Sequence, residues 1–296
     1  MSGYVVTILI TIAIYAILAQ SLNIITGHAG QISLGHAAFF GIGAYAAGLL
    51  YTKAGLPFWL DVPLAAVMAG IVGAILGIPC LRVRDDFLAI TTMGIGFVVE
   101  AVFLYIPFFG GAMGIGGINL PSWFGREMTK SEYFILILAV LALLLLLDFR
   151  LGRSWIGLAW ASLREDEQAA SAMSVHVVRF KVLAFVLGSA LAGLAGGFYA
   201  HFLTFIMPQN FGFGQSILIL CMVVFGGIGT RWGPLIGAAF LGILPEISRP
   251  IMEYRTLLYG LLLVAMMRFQ PGGLLGEDSL VVKSFLKGLS RLRQGS

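Results

Sequence analysis

Charge is what this chain lacks most. Asp, Glu, Lys and Arg make up 11% of its 296 residues, against about 25% in soluble domains. A soluble fold of this size would need polar groups it does not possess to cover its surface. The shortage also comes in blocks. Residues 1–52, 62–81 and 182–230 contain no Asp, Glu, Lys or Arg at all. A membrane crossing needs about 20 apolar residues, so the last block has room for two. These absences exclude a soluble globular class and point to an all-α polytopic membrane protein. The N-terminal block is not expected to be a cleaved secretory signal. It has no basic start, and its apolar character runs past any plausible cleavage site.

Other absences narrow the function. The chain has two cysteines, Cys80 and Cys221, both in apolar surroundings. They read as buried thiols rather than as a disulfide or a metal site. There is no G-x-x-x-x-G-K-[ST], no Gly-Lys pair, no H-E-x-x-H and no G-x-S-x-G. No catalytic residue, metal or cofactor is expected, and no nucleic-acid partner. If nucleotide hydrolysis drives transport here, the hydrolysing site must lie on another chain.

What the chain does have is glycine, 39 residues of it, about twice the usual frequency of roughly 7%. Small residues let membrane helices approach closely. Gly73 and Gly77 have that spacing, as do Ser189, Gly193 and Gly197. Nine apolar segments follow, at about 4–22, 33–52, 62–81, 87–108, 131–149, 181–205, 213–229, 233–248 and 256–270, which predicts 8 to 10 crossings. They form one transmembrane domain over 1–280 with a basic tail at 281–296. If the charged loop at 150–181 is cytoplasmic and the segments alternate, Lys53, Arg126, Lys130, Arg249 and Arg255 fall outside. The other cations, among them Arg82 and Arg84, fall inside, as the positive-inside rule asks. In the tail, Phe285, Leu286, Leu289 and Leu292 share a helical face. That face suits the anionic inner leaflet, though a plain solvated tail fits almost as well.

Two stretches read as broken helices. In "GHAGQISLGH", Gly27, Gly30 and Gly35 surround Gln31 and Ser33. In "GGIGTRWGP", Gly226, Gly227, Gly229 and Gly233 precede Pro234, which also fits an ordinary tight turn. Non-helical backbone at membrane depth must line a cavity or be buried in protein, and transporters use such breaks at substrate sites. The candidate translocation path is therefore Gln31, Ser33, His36 and Glu100. Glu100 is an acidic residue past the middle of an apolar segment, facing either a cavity or the outer interface. His28 and His36, which flank the first break, also read as ordinary hydrogen-bonded histidines. Glu246, after Pro245, reads as interfacial.

The stretch Ser154–Lys181 gathers six charged residues. Within it, "LREDEQAASAM" reads as one short helix. Glu165, Asp166 and Glu167 lie in its first turn, where the helix dipole favours negative charge. Ala169, Ala170 and Met173 form a small apolar face. That face suits a groove on a soluble partner; a solvated connection is the alternative.

Four stretches, in order along the chain, resemble one family. They are "GHAGQISLGHAAFFGIGAYAAGLL", "GRSWIGLAWASLREDEQAASAMSVHVVRFKVLAFVLGSALAGLAGGFYA", "VVFGGIGTRWGPLIGAAF" and "YGLLLVAMMRFQPGGLLG". The resemblance is to LivM-type permeases, membrane subunits of bacterial inner-membrane ABC importers for branched-chain amino acids. It implies alternating access and four kinds of partner: the lipid bilayer, a second LivH-like permease, two cytoplasmic ATP-binding subunits and a periplasmic substrate-binding protein. It also implies an ATPase-coupling helix, mapping here to Trp160–Ser174 with Arg164, Glu165, Glu167, Ala169, Ala170 and Met173. Two positions depart from the family pattern. Ser174 stands where a glycine is usual, and His28 where an aromatic residue is usual. A stand-alone secondary transporter or channel, with Glu100 as an ion site, is the competing reading.

Overall fold

The computed structural model describes residues 3–80, 85–123, 126–247, 255–270 and 272–275. Every apolar segment is a helix. They are α1 (Gly3–Asn23), α2 (His36–Ala54), α3 (Phe58–Cys80), α4 (Asp85–Tyr105), α5 (Lys130–Gly152), α8 (Val177–Leu203), α9 (Phe213–Gly226), α10 (Gly233–Ile247) and α11 (Arg255–Phe269). The charged loop adds α6 (Trp155–Glu165) and α7 (Glu167–Ala172). Among the described residues, six stretches are long and apolar enough to cross a bilayer. α2 is not one of them, because its glycines, tyrosines and Lys53 dilute its apolar character. It is instead buried along most of its length, packed against α8 and α3.

α8 is the hub. It packs on α1, α2 and α3, while α9 and α10 pack on α1 and α11 on α9. Small residues make these contacts close. A side chain at Gly43 of α2 would collide with the backbone of Gly193 on α8. One at Gly73 of α3 would collide with the Ser189 hydroxyl. The small-residue spacings read from the sequence thus mark the α3–α8 face. α3, α4 and α5 also expose rows of large apolar side chains such as Val67, Ile71, Ile75, Phe97, Val98, Ile135 and Leu143. In water such a belt would be costly. Against lipid it is the expected surface.

The bundle has two unlike ends. The loop side carries α6, α7 and both glycine stretches. The far side carries short two-stranded ladders: β1 (Ile115–Gly116) with β4 (Phe205–Ile206), and β2 (Ser122–Trp123) with β3 (Arg126–Glu127). There α5 begins in a capping box, with Thr129 and Glu132 each bonding the other's backbone N–H. Arg82, Arg84, the 281–296 tail and the Glu246 side chain lie outside what is described.

Candidate functional site

Both glycine stretches leave the helix, and the structure brings them together. α1 widens into a π-turn, Ile24–His28. The Ala29 N–H reaches the Ile24 carbonyl at 3.2 Å, and the Gln31 N–H reaches the Ile25 carbonyl at 3.0 Å. This leaves other carbonyls at the end of α1 without partners in the helix. Irregular backbone follows as far as α2. Leu34 N–H donates to the Thr92 hydroxyl of α4 at 3.0 Å. Gly35 lies so close against the Thr92 carbonyl that no side chain fits there.

The second stretch, 227–232, is a tight turn between α9 and α10. The Thr230 hydroxyl donates to the Gly227 carbonyl at 2.7 Å and accepts from the Gly233 N–H at 3.1 Å. Asn23 joins this turn to the first break. Its Oδ1 accepts from Gly229 N–H at 2.8 Å, and its Nδ2 donates to the Thr230 carbonyl at 3.0 Å. Nothing in the sequence pattern singled out Asn23.

The loop closes on the same junction. Ser154 caps α6, and the buried Trp160 indole donates to the Phe180 carbonyl at 2.9 Å. Arg164, at the end of α6, sends Nη1 to the Gly27 carbonyl at 2.7 Å. Gln31 Nε2 reaches the Lys181 carbonyl at 3.2 Å. The predicted single coupling helix is two helices. Asp166 leaves the helical conformation and its carboxylate accepts from Gln168 N–H at 2.8 Å and Ala169 N–H at 3.0 Å, starting α7. An acidic residue read as part of a first turn is therefore the cap itself. Ser174 sits at φ 65°, and Val175 N–H reaches back to the Ala170 carbonyl at 3.1 Å. The helix end usually made by glycine is made here by serine.

The predicted partner-facing residues divide. Glu165, Ala169 and Met173 are exposed, Met173 at 81%. Ala170 is buried in the chain itself, so Ala169, Ala170 and Met173 do not form one outward face. Glu167 pairs with Lys181 of this chain, and Arg164, an exposed residue overall, turns Nη1 back to the Gly27 carbonyl.

The predicted path residues divide too. Gln31, Ser33 and His36 are all buried beside the break. The Ser21 hydroxyl donates to the Leu18 carbonyl and accepts from His36 Nε2, both at 2.7 Å. Among the described residues, His36 Nδ1, Ser33 Oγ, Gln31 Oε1, Thr26 Oγ1 and the Gln20 amide have no hydrogen-bond partner. Glu100 lies apart from them, toward the far side. Its carboxylate faces Gly212, the residue that starts α9, where a helix favours negative charge. One turn along α9, the Ser216 hydroxyl accepts from Ala37 N–H of α2 at 3.0 Å.

Two ionisable pairs, one partly and one fully buried, went unread in the sequence. His28 Nε2 lies 2.7 Å from Oδ1 of Asp148 on α5. On the far side, His201 Nε2 lies 3.0 Å from Asp61 Oδ2, and Nδ1 donates to the Asn119 carbonyl at 2.7 Å. The signal was present: Asp61 and Asp148 are acidic residues set beside or within apolar runs.

A family model described as branched-chain amino acid transport system / permease component matches residues 4–267. The chain is 37% identical over 287 residues to the high-affinity branched-chain amino acid transport system permease protein LivM of Escherichia coli K12, covering 88% of this chain and 68% of that protein. It is 36% identical over 288 residues to LivM of Salmonella typhimurium, with the same coverage. To the permease protein LivH of Escherichia coli K12 it is 28% identical over 292 residues, covering 90% of this chain and 92% of that one. No solved structure matches. The chain belongs to the family of permease components of branched-chain amino acid transport systems.

Proposed function

We propose that the chain is the membrane-spanning subunit of an ATP-driven ABC importer in the bacterial inner membrane. It moves branched-chain amino acids or related small amino acids and amides by alternating access. The hydrolysing sites sit on two cytoplasmic ATP-binding subunits. A LivH-like permease completes the pathway, and a periplasmic binding protein delivers substrate. The loop side is then the cytoplasmic side.

One observation carries this reading. The charged loop is not a slack connection. It folds into two helices, anchors itself through Trp160 and Arg164, and still leaves Met173, Ala169 and Glu165 outward. Beside them runs a groove of about 650 Å³ walled by Trp155, Leu158, Arg179 and Phe180. An ordered, partly apolar surface at the cytoplasmic end suits a soluble partner. Met173 and Ala169 are positions such a partner reaches, whereas a charge placed at Ala170 would report on internal packing.

The glycine junction supports the transport half. Buried polar atoms left unpaired each cost roughly 1–3 kcal/mol. Several such atoms at the break have no partner among the described residues, as suits irregular backbone that lines a polar path. Co-purification tests the reading. Tagged permease should bring down a second permease and two ATP-binding subunits, and uptake in vesicles should require ATP inside. Gradient-driven uptake by the chain alone would replace this account with that of a secondary transporter.

A further inference from the structure

We infer that Arg164 is the positioning residue that passes the movement of the loop to the glycine junction. This rests on the proposal that the loop is the contact for the ATP-binding subunits.

The loop is tied down at several points, but the ties differ in where they lead. Trp160 bonds to Phe180, 20 residues away, and Glu167 pairs with Lys181, 14 residues away. Both of these bonds hold the loop to the start of the helix that directly follows it, while the Trp160 ring also packs against Ile24 and Ala29 at the first break without a directional bond there. Arg164 instead reaches Gly27, 137 residues away, in a different part of the bundle. Through it, a displacement of α6 acts directly on the end of α1.

The site is built around this side chain. A cation at the C-terminal end of α1 faces the negative end of the helix dipole and one of its unpaired carbonyls. Glycines from both breaks admit it. A Cβ at Gly30 would lie 3.2 to 3.3 Å from Arg164 Cγ, Cα and Cβ, and one at Gly229 would collide with Nη1. The glycine signatures that looked like two independent helix breaks therefore share an occupant. Asn23 then ties Gly27's helix to the α9–α10 turn through both ends of its amide. Movement of Arg164 along the membrane normal pulls on α1 directly and on α10 through Asn23.

The test uses the complete importer in vesicles: both permeases, the ATP-binding subunits and the binding protein. It compares wild type, Arg164→Gln and Arg164→Lys for substrate taken up per ATP hydrolysed and for retention of the ATP-binding subunits. Arg164→Gln should keep those subunits and keep ATP hydrolysis within about twofold, while uptake per ATP falls about tenfold or more. Arg164→Lys keeps the charge but loses the planar fork, so it should fall between. A wild-type ratio in both variants would overturn the inference. Loss of the ATP-binding subunits from Arg164→Gln would also overturn it, because Arg164 would then be a docking residue. If Arg164→Gln fails to assemble, Arg164→Lys decides alone, and a wild-type ratio there sinks the idea. A wild-type complex without ATP-binding subunits would instead defeat the functional reading itself.

Discussion

The two ends of this bundle are held in opposite ways. On the far side the polar groups around His201 find partners, although Tyr45 Oη and Gln215 Nε2, nearer the middle of the bundle, have none among the described residues. Each His201 ring nitrogen has one, in Asp61 and Asn119, and the Tyr133 hydroxyl donates to the Phe198 carbonyl at 2.6 Å. The Tyr51 and Phe58 rings stand edge-on to the same imidazole. On the loop side the backbone leaves the helix twice, five polar side chains near the break keep unpaired atoms, and the bonds that close the junction run through Asn23 and Arg164. A fully paired buried network is rigid, and a partly paired one is where a structure opens. The contrast makes the His201 cluster a clamp and the glycine junction a hinge.

The contrast can be broken at its strong end first. Asp61→Ala leaves His201 buried without its carboxylate. Losing one member of a buried pair costs about 3–5 kcal/mol. The variant should unfold at markedly lower temperature in detergent and give little folded protein, and an unchanged midpoint would mean the clamp carries no load. At the hinge the effect should be smaller in stability and larger in function. Asn23→Ala removes two hydrogen bonds and strands Gly229 N–H and the Thr230 carbonyl, for about 2 kcal/mol. Uptake should drop while most of the protein stays folded, as read by size-exclusion profile and transport assay side by side. The smallest effect belongs to the loop itself. Ser174 holds a left-handed conformation that costs a non-glycine residue about 1 kcal/mol. Ser174→Gly should raise the unfolding midpoint slightly and leave uptake as it was.

The sequence made the elements of this contrast legible, but not their connections. All nine apolar segments became helices because each is a long local pattern of apolar residues. Both glycine stretches left the helix because glycine clusters act locally. The loop was recognised as ordered, and its outward Met173 was anticipated. What escaped were contacts between distant residues. Asp61 meets His201 at a separation of 140 residues, His28 meets Asp148 at 120, and Asn23 meets Thr230 at 207. No periodicity encodes such pairings. Ala170 lies on the expected helix but faces inward, apart from Ala169 and Met173. Its orientation depends on where the helix pair bends at Asp166, and that bend comes from a single capping carboxylate.

The central claim is that the junction rearranges during transport while the far-side clamp moves as one piece. The most direct measurement compares thiol labelling at two buried positions, Ser33→Cys beside the junction and Ile118→Cys beside the clamp, with Cys80 and Cys221 replaced. Both are followed in the reconstituted importer with and without trapped ATP. The account predicts that the labelling rate at position 33 changes with nucleotide state while that at position 118 stays constant. A constant rate at 33 together with a changing rate at 118 would contradict it.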